Sequence, residues 1–125
     1  MPTAHHGNTT AAAVMSVPLY QAKSEFFRTL GHPVRIRILE LLAEGDRAVR
    51  ELGVQIPVEQ SSLSQQLGIL RRTSLVASHR IGGEVIYSLT APEVRDLLLA
   101  ARRILGDRAA GMGDFENDLA VVRPQ

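Results

Sequence analysis

Residues 57–72 read PVEQSSLSQQLGILRR, and this stretch decides the fold of the chain. Its leucines, Leu63, Leu67 and Leu70, recur at helical spacing, so one side of a helix over Gln60–Arg72 can pack against a core. The other side carries amide and hydroxyl groups, which donate and accept hydrogen bonds without adding negative charge. Short side chains of this kind suit the edges of bases in a major groove, and arginines at the end of such a helix suit phosphates.

A basic hairpin is predicted after this helix. Residues 79–87, HRIGGEVIY, have the pattern of two strands with a turn at Gly82 and Gly83, and we place the strands at Val76–Arg80 and Glu84–Leu89. The net charge is only +1, but residues 60–83 hold three arginines and no acidic residue, and the distribution of charge matters more than its sum. A polar helix followed by a basic hairpin is the layout of a winged helix-turn-helix, so the sequence predicts a protein that binds DNA.

The other helices are predicted from apolar periodicity and from residues that start or stop helices. Asp46 is the predicted N-cap of a short third helix, and residues 90–93, TAPE, are a predicted capping box for the last one. The five predicted helices are Pro18 to Leu30, Pro33 to Gly45, Arg47 to about Gly53, Gln60 to Arg72, and Pro92 to about Leu105.

Together these elements predict an α+β fold, mostly helical, with a small sheet. At 125 residues the chain is long enough for one domain. We assign residues 17–106 to that domain, residues 1–16 to a flexible N-terminal tail and residues 107–125 to a C-terminal tail, because glycines at 106, 111 and 113 interrupt the helical pattern.

Composition excludes several classes of protein. There are no cysteines, which excludes disulfides, thiolate metal sites and thiol redox sensing. No apolar run approaches the roughly 20 residues that span a bilayer, and the N-terminus does not resemble a secretory signal, so we expect a cytoplasmic protein without membrane contact. No arrangement of nucleophile and base, phosphate-binding loop or paired carboxylates is recognisable, so we predict that the chain is not an enzyme and has no cofactor.

Four segments carry a combined resemblance to a known family. Residues 26–42, FFRTLGHPVRIRILELL, precede residues 49–52, VREL, and residues 60–71, QSSLSQQLGILR, precede the hairpin from Gly82 to Leu89. In that order and spacing they resemble the second helix, third helix, recognition helix and wing of the ArsR/SmtB family of small bacterial winged-helix repressors. The resemblance extends over residues 18–106. It departs at Gln66, where the family commonly has a histidine, and at Pro57, in the loop before the recognition helix.

The resemblance implies a winged helix-turn-helix regulator that binds a palindromic operator in double-stranded DNA. A repressor is expected, and the alternatives within this class are an activator or a constitutive repressor without a ligand. The residues implied to contact DNA lie on the recognition helix and the wing: Gln60, Ser61, Ser62, Ser64, Gln65, Arg71, Arg72, His79, Arg80 and Gly82.

Some of these residues have a second interpretation. The serines can instead cap and solvate the start of the helix, and Arg71 and Arg72 can stabilise its dipole. His79 can simply be an exposed residue of a strand. Outside this set, Arg35 and Arg37 can either contact phosphate or pair with nearby glutamates of the second and third helices.

The resemblance also implies a homodimer built from N- and C-terminal dimerisation helices. The sequence agrees, because both ends of the domain offer more apolar surface than a small domain readily covers. The alternative is that these residues pack on the core of their own protomer. The predicted dimerisation residues are Tyr20, Phe26, Phe27, Val94, Leu97, Leu98, Ala101 and Leu105.

A conventional metal sensor is not predicted. Metal sensors of the family use cysteines on the third helix or Asp and His sets on the last helix, whereas this last helix offers Asp96 and Asp107 without a histidine. His5 and His6 fall in the predicted tail, and His32 is predicted to cap or pack at the start of a helix. The release signal, including any small-molecule effector, is unknown. The alternative function is a protein-interaction module that kept the winged-helix fold and lost DNA binding.

Overall fold

The computed structural model describes residues 17–109, which form five helices and three short strands. The predicted tail over residues 1–16 and most of the one over residues 107–125 lie outside the described residues. The order confirms the predicted α+β winged helix-turn-helix. Within residues 17–109, no helix has the length and apolar character needed to cross a membrane. The elements are α1 (Leu19–Leu30), α2 (Pro33–Glu44), β1 (Arg47–Ala48), α3 (Val49–Gln55), α4 (Gln60–Arg72), β2 (Val76–Ile81), β3 (Glu84–Leu89) and α5 (Glu93–Ala109).

Helix α2 begins at Pro33, as predicted, behind a histidine cap. His32 has extended backbone angles, and its Nδ1 accepts a hydrogen bond from the backbone N–H of Val34 at 3.1 Å. Proline suits the first helical position because its missing N–H would have no partner there. The helix ends at Glu44, before Gly45. His32 therefore has the capping role that the sequence offered as one of two possibilities.

A short strand, β1, replaces the predicted start of the third helix. Arg47 and Ala48 pair antiparallel with Tyr87 and Ile86 of β3, so the sheet has three strands in the order β1-β3-β2. The prediction of Asp46 as an N-cap was wrong. Helix α3 begins two residues later with Ala48 as its N-cap, and the Glu51 carboxylate accepts the Ala48 N–H at 2.8 Å. That bond satisfies a donor that the helix itself cannot.

The wing is the predicted hairpin of β2 and β3. The strands pair antiparallel from Val76 opposite Leu89 to Ile81 opposite Glu84, one residue longer at β2 than predicted. Gly82 and Gly83 both have left-handed backbones, with φ of 58° and 84°. A two-residue turn with both residues at positive φ matches the right-handed twist of the strands, and glycine adopts it without strain.

The core lies between α2, α3, α4 and the sheet. The predicted apolar side of α4 is buried there, together with residues from every other helix and from β2 and β3. Burying one such side chain contributes about 1.5–3 kcal/mol, so these contacts fix α4 against the rest of the domain. The buried residues packed together are Leu30, Ile38, Leu39, Leu41, Leu42, Leu52, Ile56, Leu63, Leu67, Leu70, Leu75, Val76, Tyr87 and Val94.

Helix α4 is followed by a left-handed residue, Ser74, whose carbonyl also accepts a hydrogen bond from the segment between β3 and α5. Ser74 has a φ of 65°, and the N–H of Leu75 donates back to the Leu70 carbonyl at 3.0 Å, a common helix ending for which glycine is the usual residue. The Thr90 hydroxyl donates to the Ser74 carbonyl. The predicted capping box is wrong, because α5 begins only at Glu93 and the Thr90 hydroxyl donates to the turn that follows α4.

Helix α5 is longer than predicted and is tied to α2. It continues through Gly106 to Ala109 instead of ending near Leu105. Glycine inside a helix costs only about 1 kcal/mol relative to alanine, so one glycine is a weak stop. Near the other end, the Arg95 guanidinium donates from Nε and Nη2 to the Ala43 carbonyl, at 3.2 and 2.6 Å. Those bonds satisfy a carbonyl in the last turn of α2.

Candidate nucleic-acid interface

Helix α4 presents two chemically different sides. Gln60, Ser61, Ser64 and Gln65 are exposed, whereas the leucines of the helix, Leu63, Leu67 and Leu70, are buried. Ser62 is half-buried and lies at the border of the two sides. The exposed side thus offers hydroxyl and amide groups free to meet a ligand, without a carboxylate among them.

Gln66 belongs to the buried side and has an internal partner. Only 8% of its surface is exposed, and its Oε1 accepts a hydrogen bond from Nη1 of Arg35 at 2.8 Å. Arg35 also donates from Nε to the Thr29 carbonyl at 2.6 Å. This guanidinium is therefore not paired with the glutamates that the sequence offered as one of its two possible partners. Arg37 does take one of them, since it pairs with Glu40 at 3.1 Å.

The predicted basic contacts are all on the surface. Arg71 and Arg72 are exposed at the end of α4, and Nη1 of Arg71 lies 3.4 Å from the Ser78 hydroxyl of β2. His79 and Arg80 are exposed on β2, where Nη1 of Arg80 lies 3.4 Å from the Gly83 carbonyl. Such long contacts are weak, so these side chains can be redirected at little cost. Gly82 is exposed at the tip of the wing.

A groove of about 590 Å³ joins α4 to the wing. Gln60 and Leu63 of α4, Arg50 and Gly53 of α3, and Glu84 of β3 are among its lining residues. The start of α4 and the tip of the wing therefore border the same groove. We call the exposed predicted contacts of α4, β2 and the β2–β3 turn the polar surface: Gln60, Ser61, Ser64, Gln65, Arg71, Arg72, His79, Arg80 and Gly82.

Arg50 is a candidate contact that the sequence analysis did not single out. It is exposed at the start of α3, and its Nε donates to Glu84 at 2.5 Å. The hydrogen bond and the negative charge of Glu84 raise the pKa of Arg50 further above its usual value. Its position in the sequence was a usable signal, because the first helix of a helix-turn-helix crosses the DNA backbone and an arginine at its start can reach a phosphate. Its pairing was not, since Glu84 lies 34 residues away.

The predicted dimerisation residues on α1 are mostly exposed. Tyr20 is 73% and Phe27 53% exposed, and the exposed Leu19 extends the set. Phe26 is half-buried against the core, and its ring meets that of Phe27 edge to face, with centroids 5.5 Å apart.

The predicted dimerisation residues on α5 divide into two groups. Ala101 and Leu105 are exposed, whereas Leu97 and Leu98 are half-buried against the protomer's own core. Val94 is only 3% exposed, so its inclusion was a misplacement: it packs inside its own protomer and leaves almost no surface for a second chain. Two residues that the prediction left out, Leu99 and Ile104, are exposed on the same helix.

Metal-ligating side chains do not converge in the part of the chain that the structure describes. No group of three or more His, Asp or Glu residues there is close enough to hold an ion. His5 and His6 lie outside the described residues.

Comparison with known proteins gives a consistent result. The profile of the family described as "Bacterial regulatory protein, arsR family" matches residues 32–78, from the N-cap of α2 to the middle of β2. The HTH-type transcriptional regulator Rv0081 of Mycobacterium tuberculosis is 54% identical over 105 residues, which cover 80% of this chain and 92% of that protein. Its crystal structure superposes with a TM-score of 0.69 at 52% identity, covering 78% of this chain and 98% of the other.

A second relative has a more specific name. The biofilm growth-associated repressor of Xylella fastidiosa is 39% identical over 77 residues, which cover 62% of this chain and 68% of that protein. The crystal structure of the transcriptional repressor BigR from Xylella fastidiosa superposes with a TM-score of 0.65 at 36% identity, covering 69% of this chain and 88% of the other.

Proposed function

The chain belongs to the ArsR family of bacterial regulatory proteins, and on that premise we propose that it represses transcription by binding a palindromic operator as a homodimer. The observation that carries the proposal is the polar surface. It combines an exposed hydroxyl and amide side of α4 with exposed basic residues of the wing, and no carboxylate interrupts the sequence from residue 60 to residue 83. Phosphate and base contacts both require such a surface.

We assign two different roles to the polar surface. Ser61, Ser64 and Gln65 lie in the first half of α4, where a recognition helix meets base edges in the major groove, so they are proposed to distinguish sequences. Arg72 and Arg80 are proposed to contact phosphates, which fix the position of the protein without distinguishing sequences. Arg50 joins this second group because it borders the groove between α4 and the wing.

The homodimer is supported by apolar side chains that the protomer leaves uncovered. On α1 these are Leu19, Tyr20 and Phe27, and on α5 they include Leu99 and Ile104. Large exposed apolar residues concentrated on two helices are typical of an interface between proteins. A two-fold symmetric dimer would place two copies of α4 about one turn of DNA apart, which is the geometry that reads a palindrome.

Repression and the absence of metal sensing are also part of the proposal. Repression follows the printed names of relatives, among them the biofilm growth-associated repressor of Xylella fastidiosa. We propose that the release signal is not a transition-metal ion, because the chain has no cysteine and its last helix has no histidine. Thiolate and imidazole are the ligands that zinc, nickel and cobalt prefer in proteins.

The experiment is selection of duplexes from a random DNA pool, followed by footprinting of the best duplex and binding measurements over a series of salt concentrations. We expect two protected half-sites about one helical turn apart and a steep fall of log affinity with log salt. Binding of a single half-site by a monomer would contradict the dimeric reading of a palindrome. Failure to enrich any sequence would favour the alternative, an interaction module that no longer binds DNA.

A further inference from the structure

One arginine links three helices of the domain. Arg35 of α2 donates to the carbonyls of Thr29, at 2.6 Å, and Arg28, at 3.5 Å, both in the last turn of α1. From the same guanidinium, Nη1 donates to Gln66 of α4 at 2.8 Å. The carbonyls at the end of a helix have no partner further along it, and Arg35 satisfies that of Thr29. The Arg28 carbonyl also accepts the Gly31 N–H at 3.0 Å, so the contact of Arg35 with it is secondary.

Gln66 depends on this contact. It is the one buried polar residue in the part of the chain that the structure describes, and it lies on the leucine side of α4. A buried amide oxygen without a donor loses the hydrogen bonds that water would give it. Any movement of α4 away from α2 would leave that oxygen unpaired, so the hydrogen bond from Arg35 favours one position of the helix.

The geometry of the guanidinium makes the link specific for one relative position of α1, α2 and α4. Its donors lie in one plane at fixed angles, and hydrogen bonds weaken steeply with misalignment. The two ends of the link are the helix that carries Tyr20 and Phe27, proposed for the dimer interface, and the residue next to Gln65, proposed to read bases. A rigid link between them relates the position of the recognition helix to that of the dimerisation helix.

We propose that Arg35 and Gln66 are positioning residues that set the recognition helix relative to α1, and thereby the spacing between the two recognition helices of the dimer. This inference rests on the proposed function. It makes neither residue a DNA contact, since Gln66 is buried and its amide oxygen is engaged by Arg35. Its distinctive consequence is that losing the link relaxes the preference for one half-site spacing.

The test compares Arg35→Lys and Gln66→Met with two reference variants. Lysine keeps the charge but cannot donate in three directions from one plane, and methionine keeps the length of glutamine but has no amide oxygen. Gln66→Glu keeps a side-chain oxygen that can accept the hydrogen bond from Arg35, so it should retain DNA binding and the preferred half-site spacing. Arg37→Lys is the matched control, because Arg37 lies on the same helix and its guanidinium pairs with Glu40.

Each variant is measured with four duplexes: the selected one, versions with one base pair added or removed between the half-sites, and a scrambled one. Dimerisation is followed by sedimentation, and the assay temperature is set below the onset of unfolding of every variant. For Arg35→Lys and Gln66→Met we expect about tenfold weaker binding of the selected duplex, nearly unchanged binding of the scrambled one, and a reduced difference between spacings. Gln66→Glu and Arg37→Lys should remain within about threefold of the unmodified protein and keep its preferred spacing.

Two results would overturn the inference in different ways. If both link variants unfold at lower temperature but keep the affinity and the spacing preference, the link only stabilises the fold. If the unmodified protein binds the selected and scrambled duplexes equally, the proposed function fails, and the positioning role fails with it.

Discussion

The polar surface of α4 and the wing differs from the exposed apolar residues of α1 and α5 in how closely its chemistry defines a partner. Hydroxyl, amide and guanidinium groups have specific counterparts on bases and phosphates, so each exposed residue there suggests a particular contact. An apolar side chain suggests only that something covers it. Val94 illustrates the difference, because its position among the apolar residues of α5 suggested a dimer interface, yet it is buried in its own protomer.

Substitution of Phe27 on α1 tests directly whether a second copy of the chain covers the exposed apolar residues. Phe27→Glu places a carboxylate where 53% of a phenylalanine is exposed, and burying that charge in a dimer interface would be costly. We expect the dimer dissociation constant to rise at least about 100-fold, with a comparable loss of operator affinity because a monomer reaches only one half-site. Sedimentation and DNA binding are measured on the same samples.

Val54→Glu is the matched control for that experiment. Val54 is even more exposed, at 82%, but lies on α3, which is not one of the two helices proposed for the interface. It should leave the dimer intact. A dimer that persists in Phe27→Glu would show that the exposed residue of α1 is covered by something other than a second copy of the chain.

Two substitutions on the polar surface separate residues proposed to read bases from residues proposed to contact phosphates. Gln65→Ala should cost about 1–3 kcal/mol per lost base contact, twice that in a dimer, and should relax sequence preference. Arg80→Ala should weaken binding to selected and scrambled duplexes alike and lower the slope of log affinity against log salt by about 1 for each protomer. If Gln65→Ala stays folded and keeps full affinity and preference, the reading role of Gln65 is wrong.

A smaller effect is expected at the edge of the polar surface, where Arg50 is engaged by a carboxylate. Glu84→Gln removes a negative charge beside the proposed path of the phosphates and releases Arg50. We expect binding to every duplex to strengthen about two- to fivefold. Glu40→Gln is the control, because it also frees an arginine, Arg37, but at the groove between α2 and α5. Weaker binding in Glu84→Gln would mean that the ion pair mainly holds the wing in place.

Most of the fold was accessible from the sequence because it depends on local patterns. Leucine spacing predicted α4, and the two glycines predicted the turn of the wing. The misses have non-local causes. Strand β1 is two residues long, too short to show any alternation, and it forms because Tyr87 and Ile86 lie beside it. The predicted capping box failed because the Thr90 hydroxyl donates to the carbonyl of Ser74, sixteen residues earlier in the chain.

The residues of the candidate site were predictable from the sequence, but the contacts that they make with distant segments were not. Gln66 follows Leu63 by three residues and precedes Leu70 by four, so helical spacing alone places it with the buried leucines. That signal was in the sequence, whereas the identity of its partner was not, because Arg35 lies 31 residues away. Contacts between distant segments, such as Arg35 with Gln66 and Arg50 with Glu84, are determined by packing of the whole domain.

Metal ions are expected to have no effect on operator binding. Zinc, nickel, cobalt, cadmium and arsenite should not release the protein from its operator, because the chain has no thiolate and α5 has no imidazole, while its carboxylates bind such ions weakly unless several converge. A metal acts on DNA binding only if it binds the free dimer better than the bound one. Each ion is therefore titrated into the protein–operator complex, in parallel with a variant in which His5 and His6 are replaced by alanine. Stoichiometric binding that releases DNA would contradict the prediction, and its loss in the variant would locate the sensor in the N-terminal segment.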